Sequence, residues 1–138
     1  MSVDADNLVA RLASWLSNVV PPQVSVGSKG TDIQVWTKGQ AAVPTVIHVG
    51  SILAQPNAGR QEVEYALISA LSGVQDFVIR ELKERWPSAP RNIGKSEHRE
   101  LPMPEAEVGK ESIRAWYGDK DNPILSFRLQ CNNLNMST

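Results

Sequence analysis

Residues 60 to 86 run RQEVEYALISALSGVQDFVIRELKERW, twenty-seven positions without a proline. Val63, Leu67, Ala70, Leu71, Val74, Val78 and Leu82 recur at helical spacings and share one stripe, while Tyr65, Ile68, Ile79 and Trp86 lie off it. At 1.5 Å per residue such a helix spans about 40 Å, longer than a domain of this size normally needs. Part of its surface is therefore expected to serve a partner. Gly73 stands in its middle and costs about 1 kcal/mol against alanine in helix propensity, which points to a close approach by another backbone.

On the N-terminal side of this helix the pattern changes period. Residues 3 to 20 place Leu8, Leu12, Trp15, Leu16 and Val19 along one helical stripe opposite Asp6, Arg11, Ser14 and Ser17, with Ser2 or Asp4 as cap and Pro21-Pro22 as terminator. Val24 and Val26 then alternate with polar neighbours, Gly27-Ser28-Lys29-Gly30 supplies a turn, and Ile33 and Val35 resume the alternation, which predicts a hairpin. Val43 to Leu53, apolar and rich in β-branched residues, predicts a third strand whose bulge or end is marked by Gly50.

On the C-terminal side, residues 87 to 104 hold Pro87, Pro90, Pro102 and Pro104 and predict an exposed loop. Ile113, Ala115 and Tyr117 alternate, Gly118 to Pro123 turns the chain, and Leu125, Phe127 and Leu129 alternate again, a second hairpin. Residues 132 to 138 read as a frayed tail. The expectation is an α+β domain over residues 1 to 131: helix, three strands, long helix and two strands, with an antiparallel sheet of four or five strands and the helices packed on one face.

Composition narrows the function classes. With 138 residues the chain fits one domain able to bury roughly 68–70% of its unfolded surface. Hydrophobic residues make up 41% and charged residues 21%, with a net charge of -1, which excludes disordered and coiled-coil classes. The single Cys131 forms no intramolecular disulfide, and the first twenty residues lack the basic start and apolar run of a signal peptide, so a cytoplasmic location is expected. Ala41 to Ala54, the most apolar segment, is interrupted by Pro44, Thr45, His48, Gly50 and Ser51 and is too short to span a bilayer, so no membrane partner is expected.

No catalytic set converges in the sequence. Cys131 could pair only with His48 or His98, and its polar, terminal context suits an inert thiol better than a nucleophile. One cysteine and two histidines do not make a zinc site. Asp119, Asp121 and Asn122 resemble the start of a calcium loop, but Ile124 and Gln130 stand where glycine and glutamate are required. Gly27 to Thr31 lacks phosphate-loop order and joins strand to strand, and Asn135-Met136-Ser137 matches a glycosylation acceptor without a route to secretion. No metal and no cofactor is expected. Glu105 and Glu107 could share one strand face, where like charges are exposed rather than catalytic. Arg80, Lys83, Arg85, Arg91, Lys95 and Arg99 exceed Glu81, Glu84 and Glu97 locally, but the acids are interleaved at helical spacing, which describes a solvated helix end better than a nucleic-acid site.

Four tryptophans carry the remaining signal. Trp15 belongs to a core stripe, whereas Trp36 and Trp116 fall on the strand faces opposite Ile33 with Val35 and Ile113 with Tyr117, which suggests a second buried surface. Trp36, Trp86 and Trp116 are the expected partner contacts, with Arg80 and Arg85 as a polar rim.

Leu71 to Val78, Trp86-Pro87, Ala115 to Asp119 and Pro123 to Leu125 resemble a group of short uncharacterised actinobacterial proteins over about half of the chain, a resemblance that brings no activity with it. The element order is similar to the small acidic secretion-chaperone and YbjN-like folds, which implies dimerisation and binding of protein segments. The expected function is a non-enzymatic protein-binding module, chaperone- or adaptor-like and self-associating, with a homodimer and a second protein as partners. The alternative is a small-ligand binder or enzyme with a pocket between sheet and long helix, lined by His48 and Tyr117 with Arg114 nearby.

Overall fold

The long helix forms as α3 (Arg60–Leu82). At its start the Gly59 N–H donates to Glu62 Oε1 at 2.7 Å. At its end Lys83 takes a left-handed backbone with φ 57°, and its N–H closes onto the Ile79 carbonyl at 2.9 Å. Left-handed backbone is unfavourable for a residue with a Cβ, so the helix stops four positions short of the Trp86 expected from periodicity. The computed structural model describes residues 5–39, 44–53, 59–87 and 102–130.

The remaining elements are α1 (Ala5–Val19), β1 (Val24–Lys29), β2 (Asp32–Thr37), β3 (Thr45–Ile47), α2 (Gly50–Leu53), β4 (Pro104–Val108), β5 (Ser112–Gly118) and β6 (Pro123–Gln130). The class is α+β. The strands differ from the expected single sheet: they form two three-stranded antiparallel sheets, β1-β2-β3 and β4-β5-β6. The helices bridge the two. α1 packs on β1 and reaches β6, and α3 lies along β4 while reaching β2, β3 and β5. Alternation identifies a strand and its buried face, but the edge it pairs with is a long-range choice that a period cannot encode.

Two segments depart from the sequence reading. The third strand is only Thr45–Ile47, because the Asp32 carboxylate accepts the Gly50 N–H through Oδ1 at 2.8 Å and turns the chain into α2. A Cβ at residue 50 would collide with the Thr31 hydroxyl, so only glycine fits the turn. The loop expected through residue 104 gives way to a sixth strand, β4, which pairs Val108 with Ile113 and Pro104 with Tyr117. Its outer edge is held by the helix: the Val108 N–H donates to Glu64 Oε2 at 2.9 Å. Glu105 and Glu107 share one exposed face of it, as expected. Positions 88 to 101, which include His98, and 131 to 138, which include Cys131, lie outside the described residues.

One hydrophobic cluster draws on both sheets and both long helices. Leu8, Leu12 and Leu16 from α1, Ile33 and Val35 from β2, Leu67, Leu71 and Val74 from α3, and Ile113 and Tyr117 from β5 are all essentially inaccessible. At roughly 25 cal/mol per Å² of apolar surface, each such side chain contributes about 1.5–3 kcal/mol before conformational entropy is counted. Gly73 has its explanation in this packing. A Cβ placed there would stand 2.8 Å from Ile47 Cδ1 and 2.9 Å from Cγ1, so the missing side chain lets β3 lie against α3. The sequence pointed to a backbone approach; the approaching group is a side chain.

Candidate functional site

The expected contact tryptophans take three different roles. Trp86 is buried, donates its indole N–H to the Val19 carbonyl at 3.3 Å and meets Tyr117 edge to face with centroids 5.2 Å apart. It ties the segment after α3 to the end of α1. Trp116 is 5% exposed on the face of β5 opposite Tyr117, outside the main cluster, as the alternation of Ile113 and Tyr117 requires. Arg114 lies over its ring at 5.0 Å, and its buried indole N–H has no acceptor. Of the three, Trp36 alone is half-buried rather than buried: it stands on the outer face of β2, with its ring in van der Waals reach of a Cβ placed at Gly27 on β1.

The residues expected around a pocket are placed on separate surfaces. His48 follows β3 with its side chain 73% exposed, and its Nδ1 lies 3.5 Å from Asp32 Oδ2. Tyr117 is buried in the core, and its hydroxyl donates to the Leu71 carbonyl of α3 at 2.6 Å. Burial pushes its phenol well above the usual value, and the Asp76 carboxylate adds to the shift. Arg114 occupies the opposite face of β5 from Tyr117, with a guanidinium N–H aimed at the Lys120 carbonyl at 3.5 Å. Beside it, Lys120 bonds the Glu107 carboxylate at 2.8 Å and holds that exposed group below the usual carboxylate range. Among the described residues no group of three or more His, Cys, Asp and Glu could hold a metal ion. Likewise, no described helix is long and apolar enough to cross a membrane.

What the structure brings together instead is an apolar wall on α3 and β4. Tyr65 and Met103, each 61% exposed, are the large hydrophobic side chains left in solvent among the described residues. Tyr65, Ile68, Ser72, Asp76 and Ile79 follow one another at spacings of three and four, the stripe of α3 opposite its buried face. Ile68, Ser72 and Ile79 are half-buried. Met103 joins this surface because Gln75 Nε2 donates to the carbonyl of the preceding Pro102 at 2.8 Å, which fastens the start of β4 beside the middle of α3. The sequence marked Tyr65, Ile68 and Ile79 as lying off the core stripe, but Met103 carried no local signal, since its place depends on the Gln75 contact twenty-seven residues away.

The ends of this wall differ in charge. Glu62 and Glu64 outweigh Arg60 at the start of α3, and Arg80, Lys83 and Arg85 outweigh Glu81 and Glu84 at its end. Arg80 is exposed, 3.4 Å from Glu81 and 5.6 Å from the centre of the Phe77 ring. Such exposed pairs hold little energy, so the guanidinium can turn to another acceptor. Compared with family models, curated proteins and solved structures, the chain matches none.

Proposed function

We propose that this chain is a non-enzymatic protein-binding module, chaperone- or adaptor-like, that works through the outer wall of α3 and β4 and associates with itself. The observation that carries the reading is the concentration of exposed apolar surface there: Tyr65 and Met103 in solvent, with Ile68 and Ile79 half-covered on the same stripe of α3 as Tyr65. Exposed apolar side chains gathered on one wall mark interaction surfaces rather than random scatter. Tyrosine and methionine suit such contacts because each adds large area at modest entropic cost. Trp36 and Arg80 flank the reading as further partner contacts, one on the outer face of β2 and one at the basic end of α3. Trp86 and Trp116 are buried and leave no free surface for a partner.

The test is native co-purification of tagged wild-type chain and a Tyr65→Asp variant, each checked for folding by circular dichroism. A near-stoichiometric protein recovered with wild type and lost with the variant supports the module. Recovery of a bare monomer from both, at any protein concentration, overturns it.

A further inference from the structure

The α3 wall carries the features of a surface that pairs with a copy of itself. A two-fold axis passing beside Ser72 would set two α3 helices antiparallel, so that position i of one faces position 144 minus i of the other. Tyr65 then stands opposite Ile79, on the stripe both share, while the Gln75 to Pro102 and Glu64 to Val108 bonds run β4 antiparallel to α3 and set Met103 near the level of the axis. Ser69 and Ser72 sit near the axis, where small side chains let helices approach to about 8 Å. The charges agree with the same arrangement. Glu62 and Arg80 lie on the same flank of the stripe at nearly mirrored heights, so each copy offers an acid to the other's base. A parallel pair would instead gather the acids of both copies at one end and the bases of both at the other.

We infer that the partner of the α3 wall is a second copy of this chain, docked antiparallel across Ser72, with Tyr65 of each copy covering Ile79 of the other and Met103 of each lying beside the axis. The inference rests on the protein-binding reading and names its first partner. At the axis the two Ser72 Cα atoms come within roughly 3.4–5.4 Å, from two helix radii of 2.3 Å and an interaxial distance of 8–10 Å. At interaxial distances above about 9 Å that is disulfide range. The two Tyr65 positions are separated by fourteen residues of rise, about 21 Å.

The experiment is oxidative cross-linking of the full chain in a Cys131→Ser background, comparing Ser72→Cys with Tyr65→Cys, alongside sedimentation of the uncross-linked wild type. The expected result is a dimeric wild type, efficient covalent dimer from Ser72→Cys and at least tenfold less from Tyr65→Cys at equal concentration. A dimer that cross-links through residue 65, or through neither, overturns the antiparallel α3 arrangement while leaving self-association standing. A wild type that stays monomeric at several hundred micromolar overturns self-pairing altogether; the wider protein-binding reading then stands or falls on the co-purification. Should Ser72→Cys perturb folding, Ser69→Cys, whose two copies stand six residues of rise or about 9 Å apart, provides the same test with a short bifunctional maleimide in place of direct oxidation.

Discussion

Adding one methyl group at Gly73 tests the packing that holds the first sheet against the long helix. A Cβ there would lie 2.8, 2.9 and 3.1 Å from Cδ1, Cγ1 and Cγ2 of Ile47. Ordinary carbon contacts sit at about 3.5–4.0 Å. Rotation about the outer bond moves Cδ1 away but leaves Cγ1 and Cγ2 in place, so β3 itself must retreat by several tenths of an ångström. Overpacking of this kind costs about 1–3 kcal/mol, and alanine returns about 1 kcal/mol of helix propensity. Gly73→Ala is thus expected to destabilise the chain by about 1 kcal/mol. In an Ile47→Ala background the obstacle is gone, and the same change should stabilise by about 1 kcal/mol, a coupling of about 2 kcal/mol with a reversal of sign. Urea unfolding followed by tryptophan fluorescence reads all four corners of the cycle. A Gly73→Ala chain that gains its full helix propensity with Ile47 present would refute the close approach.

Other consequences follow from single contacts. Tyr117 has a phenol pushed up by burial, so its contribution to stability is complete below the unfolded value of about 10 and falls as pH rises toward the folded value; wild type should lose stability above about pH 10 with a steeper slope than Tyr117→Phe. At neutral pH Tyr117→Phe should cost about 0.5–1.5 kcal/mol for the lost bond to the Leu71 carbonyl, measured by urea titration. Asp32→Ala removes the acceptor of the Gly50 N–H and should cost about 1 kcal/mol, whereas Asp32→Asn keeps an acceptor and should cost less than half as much. Trp86→Phe forfeits a bond to Val19 that Trp116→Phe does not, so the Trp86 variant should be the less stable by about 1 kcal/mol in thermal or urea melts.

The helix and strand periods in the sequence carried the class and nearly every element, because α1, α3 and the two hairpins each bury one face and expose the other. Two errors share a cause. Val43 to Leu53 looks like strand throughout, yet a carboxylate eighteen residues upstream captures the Gly50 N–H and starts a turn of helix. Pro104 falls at the end of the expected loop and residues 105 to 108 carry too few apolar side chains to mark a strand by period, yet Pro104 to Val108 pairs with β5 and is held at its edge by Glu64, forty-four residues from Val108. Both outcomes are set by partners distant in sequence, which override local propensity. The contact surface was legible in part. The excess length of the helix and the off-stripe Tyr65, Ile68 and Ile79 pointed to it, but aromatic residue type drew attention to Trp86 and Trp116, which the fold uses inside. His48, Tyr117 and Arg114 illustrate the same limit, since their grouping required a sheet that the chain does not build.

The most direct measurement is the ¹³C-methyl spectrum of methionine-labelled chain across a hundredfold range of concentration. Met103 lies on the proposed interface, and its resonance is assigned by its loss in Met103→Leu. The account predicts that the Met103 resonance shifts as the chain dimerises and its exposed side chain passes from solvent into the contact, and that Tyr65→Asp holds it at its dilute position. A Met103 resonance unchanged over the whole range, or one that shifts equally in Tyr65→Asp, would contradict the assignment of the α3 and β4 wall as the contact surface.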